Sequence, residues 1–302
     1  FVISEPKFAI DSPRYTLISY YGRANINIKN RYLLTGTIRT DGSSRFAKDE
    51  RWGVFPSGAI AWNIKNEPFL SNSRTITQLK LRGGYGLTGQ QSGIGYYDYS
   101  SFYGYSSNES QYQLGDNFYH LYAPGGYYPQ RTWEKTATSN IGIDFGFADN
   151  RITGAIDAYY KKTTDLLNMI AQPAGSNFSN EIVANVGSME NKGIEVSLNF
   201  QPVRNADFVW DFSINGTYNE NKITKLTTVK NPNYSGNRFY GISGGTGNTI
   251  LINSVGYPRG SFYVYKQVYS DNGMPIDGLF EDINRDGIIN ESDLYRYEKG
   301  DP

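Results

Sequence analysis

Apolar and polar residues take turns along most of this sequence, and the gaps between the alternating runs are themselves alternately short and long. Ile141, Ile143, Phe145 and Phe147 are interleaved with Gly142, Asp144 and Gly146. After Ala148-Asp149-Asn150 the rhythm resumes with Ile152, Gly154, Ile156, Ala158 and Tyr160. Ile194, Val196, Leu198 and Phe200 repeat it, as do Trp210, Phe212, Ile214, Gly216 and Tyr218. Runs at about 15–28, 32–46, 53–64 and 76–89 read alike. A period of two means a strand with one apolar and one polar face. Lys29-Asn30-Arg31, Ala148-Asp149-Asn150 and Arg204-Asn205-Ala206 are tight turns, and 65–75 is a modest one. The other gaps lie at about 47–52, 90–133, 168–188 and from 221 onward, and three of them are long. If the strands run up and down, all short turns fall at one end and all long loops at the other. Outer-membrane barrels are built that way, whereas the Greek-key connections of a soluble sandwich mix loop lengths at both ends.

The strands span roughly 12 to 17 residues, more than the usual 5–6 of soluble sheets. A tilted membrane strand needs about 9–11 residues, and the excess can project beyond the lipid. Composition agrees. The chain has 26 Tyr and 33 Gly, 15% aromatic and only 38% hydrophobic residues. Its 29 basic residues balance 29 acidic ones, which argues against a nucleic-acid module. The absence of Cys excludes disulfide scaffolds, zinc-thiolate sites and thiol nucleophiles, and one His leaves little for a Ser-His triad. Tyr20, Tyr21, Trp62, Tyr85, Tyr159, Tyr160, Trp210 and Tyr218 lie near strand ends, as interfacial girdles or as ordinary strand aromatics.

Eight segments then carry a resemblance. Tyr20-Tyr21-Gly22-Arg23-Ala24-Asn25, Arg31-Tyr32-Leu33-Leu34, Arg39-Thr40-Asp41-Gly42-Ser43-Ser44-Arg45-Phe46 and Trp52-Gly53-Val54-Phe55-Pro56-Ser57 come first. Glu67-Pro68-Phe69-Leu70, Leu79-Lys80-Leu81-Arg82-Gly83-Gly84-Tyr85-Gly86, Asn185-Val186-Gly187-Ser188-Met189-Glu190-Asn191-Lys192-Gly193-Ile194-Glu195 and Gly256-Tyr257-Pro258-Arg259-Gly260-Ser261-Phe262 follow in order. Together they resemble the SusC/RagA family of TonB-linked outer-membrane proteins. The resemblance implies an all-β fold: a transmembrane antiparallel barrel of 22 strands with an N-terminal plug and long extracellular loops. It implies a SusD-like surface lipoprotein as a hinged lid, dimers of barrel–lid pairs, and import of oligosaccharides or peptides driven by the TonB–ExbB–ExbD complex. Outer-membrane lipid and lipopolysaccharide would surround it, in a Bacteroidota-like bacterium. Residues 1–220 are then membrane strands with an extracellular loop at 90–133, and 221–302 are a long extracellular region. Neither plug nor TonB box is visible, so a later part of the barrel is expected.

One segment has coordination chemistry. Asp282, Asn284, Asp286, Ile288, Asn290 and Asp293 fall at positions 1, 3, 5, 7, 9 and 12 of the EF-hand calcium register, with Gly287 at the sharp turn of position 6. Asp at position 12 is shorter than the usual bidentate Glu, which implies weaker binding or a dockerin-like variant. The alternative is a metal-free Asn/Asp/Gly turn. Calcium is expected as a structural ion of the loop.

The 90–133 loop holds ten of the 26 Tyr. Tyr96, Tyr97, Tyr99, Tyr103, Tyr105, Tyr127 and Tyr128 are its candidate contacts with substrate or lid, since Tyr offers a flat apolar face and a hydroxyl at low entropy cost. The alternative is a loop that packs on itself. His120 reads as a hydrogen-bonding loop residue. Gly83-Gly84-Tyr85-Gly86 and Gly244-Gly245-Thr246-Gly247 are not phosphate loops, because no Lys-Ser/Thr and no helix follow. Arg23, Arg39, Arg45, Arg82, Asp144, Asp157 and Glu195 should face a lumen and pair with one another. No catalytic group is expected, so the chain reads as no enzyme. Transport is the first reading. A structural subunit of a larger outer-membrane or secretion assembly is the second, and a soluble calcium-binding β-sandwich for carbohydrate the third.

Overall fold

In the computed structural model the described residues are 14–105, 110–229, 234–241 and 249–296. Eight long strands form one antiparallel sheet. They are β1 (Leu17–Ile28), β2 (Tyr32–Ser43), β3 (Trp52–Asn63), β4 (Ile76–Gln90), then β9 (Glu134–Phe147), β10 (Ile152–Ala171), β11 (Glu181–Arg204) and β12 (Val209–Lys225). Four short strands belong to the loop between β4 and β9. Of these, β5 (Tyr103–Tyr105) pairs with β8 (Tyr122–Pro124), and β6 (Gln111–Leu114) with β7 (Asn117–His120). Beyond β12 come β13 (Asn237–Gly241), β14 (Thr249–Asn253), β15 (Ser261–Tyr265), β16 (Gln267–Tyr269), β17 (Pro275–Phe280) and β18 (Leu294–Arg296). The order β13-β14-β15-β18 makes a second, smaller sheet. Strands follow one another in the large sheet in chain order, and β1 and β12 are its two edges, so it is a stretch of wall and not a closed barrel.

Register gives the wall its two faces. One row across all eight strands reads Ile26, Leu34, Ile60, Gly83, Ile141, Ala158, Ile194, Tyr218. The row one residue away reads Asn25, Thr35, Ala59, Gly84, Asn140, Tyr159, Gly193, Asn219. The first is apolar up to Tyr218 at its edge, and the second is polar or small apart from Tyr159. Among the described residues the apolar row meets no second sheet: Ile26, Ile60, Ile141 and Ile194 are each more than half exposed. Left in water, each such side chain forgoes about 1.5–3 kcal/mol of burial; hydrocarbon removes that penalty. A soluble sandwich, whose apolar rows would interdigitate across a dry interior, is therefore the wrong reading. Aromatics bracket the apolar face, with Tyr20 stacked on Trp52 near one end (centroids 6.1 Å) and Tyr32 on Trp62 near the other (6.3 Å).

The short turns have the geometry the right-handed twist demands. Lys29 and Asn30 take φ of 52° and 55°, and Arg31 N–H returns to the Ile28 carbonyl at 2.9 Å. Mirror-image turns of this kind match the twist of the strands they join. The gap expected at 168–188 is shorter than its sequence suggests. β10 continues to Ala171 and β11 starts at Glu181, so these strands reach 20 and 24 residues. The period is broken at Asp165, whose φ is 58°, where the β10–β11 register shifts. Beyond that bulge Ile182, Ala184 and Val186 bury one another in a separate cluster, and the strand pair continues past the wall.

Candidate functional site

On the polar face of the wall, arginines and aspartates pair within and across strands. Arg82 on β4 bonds the Asp144 carboxylate on β9 with Nε and Nη2, the latter at 2.7 Å. It also reaches across β9 to Asp157 on β10 at 3.0 Å. Gly142 makes that reach possible. It sits between Arg82 and Asp157 in the same row, and a Cβ there would meet Asp157 Oδ1 and lie 3.0 Å from Arg82 Nη2. Arg39 is paired with Asp41 at 2.8 Å and donates to Ser19, and Arg23 donates to Thr37 at 3.1 Å. Small residues on this face leave a groove of about 550 Å³ bordered by Arg39, Asp41, Ser57, Gly84, Thr138 and Asn140. Glycines elsewhere take rings: Gly53 and Gly89 lie under Phe55, and Gly193 under Tyr159. Arg45 is not on this face. It lies past the end of β2, its guanidinium 4.8 Å from the centres of both the Tyr15 and the Tyr96 rings, and it donates to the Ile94 carbonyl at 2.9 Å.

The loop of residues 91–133 is tied to the mouth of the wall at both ends. Phe46, Phe55, Ile94 and Trp133 form a buried cluster with Leu87 and Leu167 against it. Trp133 Nε1 donates to the Arg51 carbonyl at 3.0 Å, and Ser43 Oγ donates to Gln91 Oε1. Arg131 is buried, pairs with Asp98 at 2.6 Å and donates to the Val183 carbonyl at 2.8 Å. Asn185 clasps the backbone of Thr132 from both sides, at 2.9 Å each way. Sequence reasoning did not single out Arg131 and Trp133. The one signal available was an Arg-x-Trp pair set directly before a strand. Beside these roots a second cavity of about 490 Å³ is lined by Glu134, Thr136, Thr163, Asn168, Met189 and Arg259, among others.

The seven candidate tyrosines do not form one patch. Tyr96 is half-buried in the stack with Arg45 and Tyr15. Tyr127 stacks on Phe178, and its backbone is held by Asn177. Tyr128 packs on the Ile182 cluster, and Tyr99 is half-buried. Tyr97 is exposed with its ring edge-on to Phe102, and Tyr103 is 69% exposed. Tyr105 pairs with Tyr122 through its backbone, and its side chain lies outside the described residues. The arm they belong to exposes Phe102, Tyr112, Leu114, Phe118 and Tyr119 as well. His120 Nε2 lies 2.8 Å from Gln111 Nε2 across β6–β7. Gly244-Gly245-Thr246-Gly247 lies outside the described residues.

The segment 282–293 is a tightly bonded loop. Asp282 accepts the backbone N–H groups of Arg285, Asp286 and Gly287, at 2.7, 3.2 and 2.7 Å. Asp286 accepts that of Ile288 and the amide of Asn284. Gly287 has φ 82°, the left-handed turn expected of position 6. Asp293 is fully buried and caps the short helix Glu291–Asp293, accepting the N–H groups of Asn290, Ile283 and Asn284. Those N–H groups, Asn290 foremost, hold its carboxyl below the usual carboxylate range. As a donor set for calcium the fit is partial. Positions 1, 3, 5 and 9 supply oxygens from one curved backbone. The position-1 and position-12 carboxylates, however, are each already committed to three N–H groups, and among the described residues no three carboxylates converge.

The family profile "TonB dependent receptor-like, beta-barrel" matches residues 4–285. TonB-dependent receptor SusC of Bacteroides thetaiotaomicron is 47% identical over 286 residues, which is 95% of this chain and 28% of that protein. TonB-dependent receptor P39 of Formosa agariphila is 38% identical over 72% of this chain and 20% of its own. Among solved structures, the RagAB peptide importer in its "open-open" state matches 95% of the chain and 30% of its own, with a TM-score of 0.74 at 27% identity. The chain thus spans less than a third of the length of these relatives. They are receptors and transporters, not enzymes.

Proposed function

Because the chain belongs to the TonB-dependent receptor-like β-barrel family, we propose that the protein it is part of imports oligosaccharides or peptides across an outer membrane. These strands form part of the wall. The observation that carries the reading is the pair of adjacent rows across the eight strands, one apolar and exposed, the other polar and bordering a groove. Polar side chains that satisfy one another leave a wet passage without stranded charge, and the passage needs no covalent chemistry. A SusD-like lipoprotein serves as the lid, as the relation to the RagAB structures supports, and energy from TonB enters through regions outside this chain. The exposed arm of residues 102–104 and 110–122, with Tyr97 at its base, is the surface for lid or substrate, while Tyr96, Tyr127 and Tyr128 hold its roots. The test is purification of the intact protein in detergent, together with growth of a strain lacking its gene. A co-purifying SusD-like lipoprotein and loss of growth on one class of oligosaccharide or peptide are expected. A partner set of secretion or assembly proteins with unimpaired growth would replace the reading with that of a structural subunit.

Calcium in the 282–293 loop belongs to the same reading as a structural ion. Asp282, Asn284, Asp286 and Asn290 would hold it with the Ile288 carbonyl, and Asp293 would join on releasing part of its N–H bonding. The ion would supply charge to stiffen the loop and nothing more. A chelator should admit protease to 282–293 while the strands stay protected, and an unchanged cleavage pattern would remove calcium from the account.

A further inference from the structure

The turn between β3 and β4 is folded against the apolar face of the wall. Glu67 holds it there. Its carboxylate accepts the Tyr32 hydroxyl at 2.8 Å and the Trp62 Nε1 proton at 2.9 Å, and Arg31 lies 3.4 Å from its other oxygen. Tyr32 and Trp62 are register partners in the apolar rows, stacked on each other, with Leu81 opposite Trp62 on the next strand. The second charge of the turn, Lys65, donates to three carbonyls, those of Leu70, Ser71 and Ser73, at 3.0, 3.1 and 2.7 Å. Leu70 and Ser71 return their N–H groups to the Glu67 carbonyl. The turn therefore holds the Glu67 carboxylate on Tyr32, Trp62 and Arg31, gathers Lys65 on its own carbonyls and closes its own backbone, with Arg74 left exposed at its end. A turn bathed in water has no need to do so, whereas one at the edge of hydrocarbon does, because an unpaired charge there is costly. From this closed frame Phe69 stands out at 72% exposure. Lys29 and Arg74 are exposed at the same end of the wall.

We propose that residues 64–74 are a foot that anchors the wall to the phospholipid leaflet at its short-turn end. Phe69 enters the boundary between headgroups and acyl chains, and Lys29 and Arg74 meet the phosphate groups. The occupant is lipid because the apolar rows of the wall run without a break into the Tyr32–Trp62 stack on which the turn is seated, and because the exposed charges beside the turn, Lys29 and Arg74, are cations that complement a phosphate layer, the rim's exposed Asp149 and Asp207 lying on the turns farther along the wall. The anchor needs the wall to be in a membrane. It does not need anything to be imported, so its test stands apart from that of transport.

The chain has no native Cys, so with any Cys outside it replaced, the intact protein can be spin-labelled at single positions in bilayers of phosphatidylethanolamine and phosphatidylglycerol. The positions are Phe69→Cys, Ile60→Cys on the apolar face and Asn140→Cys on the polar face. The label at 69 should be open to oxygen and closed to a water-soluble nickel chelate, as at 60 and unlike 140. Nickel access matching that at 140 would overturn the proposal, as would a label closed to both reagents, which signals burial against protein. As a second reading, the Lys29→Glu/Arg74→Glu pair should lower the unfolding temperature in these bilayers and leave it unchanged in neutral detergent, which offers no phosphate. Equal shifts in both media would mean that the turn serves only its own fold.

Discussion

The bridge from Arg82 to Asp157 shows how one residue with no side chain sets the chemistry of its neighbours. The guanidinium must cross β9, and only Gly142 leaves the space. Gly142→Val should therefore push Asp157 off the bridge while Asp144 stays bound. Arg82→Ala should leave both carboxylates unpaired on a partly shielded face, at about 1–2 kcal/mol. Denaturant unfolding of the intact protein in bilayers reads both, and the double variant should cost clearly less than the sum of the two. Asp293 makes a second residue-scale case. Its carboxyl is held below the ordinary aspartate range by the backbone N–H groups of Asn290, Asn284 and Ile283. A depressed folded pKa means that the stabilisation is complete above the unfolded value of about 3.9 and is lost as pH falls through the folded one. Hydrogen exchange at those three amides should be protected near pH 6 and open at pH 2 in calcium-free buffer. Protection that persists at pH 2 would show that the cap does not depend on the ionised carboxyl.

At the scale of elements, the loop of residues 91–133 owes its placement to its roots. Trp133→Ala empties a cluster shared by Phe46, Phe55 and Ile94 and removes the bond to Arg51. A loss of about 3 kcal/mol is expected, felt as faster proteolysis and exchange within 91–133 and across Lys48–Glu50, with β9 to β12 unchanged. Loosening of those strands as well would mean that the cluster supports the wall and not the loop. This is also where the sequence stopped being legible. The strands could be read because alternation is local: β1, β3 and β4 fall within two residues of the runs at 15–28, 53–64 and 76–89. The upper halves of β10 and β11 could not, because the bulge at Asp165 breaks the period that announces a strand. The clamp of Trp133 on Arg51 joins residues 82 apart, and no local pattern encodes such a pair. The Arg82 bridge needed the register of three strands before the role of Gly142 could be seen. The eight ordered segments gave the family, since their order survives without any knowledge of contacts.

For the molecule as a whole, the decisive property is that two neighbouring residues on one strand live in different solvents. Asn140 and Ile141 are consecutive in β9. Ile141 stands in the apolar row with Gly83 and Ala158 beside it, and Asn140 borders the groove between Gly84 and Tyr159. A soluble sheet with one wet face would punish an arginine on its buried side. Here the side exposed to the surroundings should punish it, because those surroundings are lipid. Ile141→Arg is expected to destabilise the intact protein in bilayers by about 2–4 kcal/mol, the cost of a cation near the middle of a bilayer. Asn140→Arg, facing water and Thr138, should cost less than about 1 kcal/mol, as surface changes do. Two variants one residue apart thus share strand, depth and added charge, and differ only in the face they occupy. Equal penalties would contradict the assignment of the exposed isoleucine row to hydrocarbon, and with it the reading of the wall from which passage, foot and lid contacts all proceed.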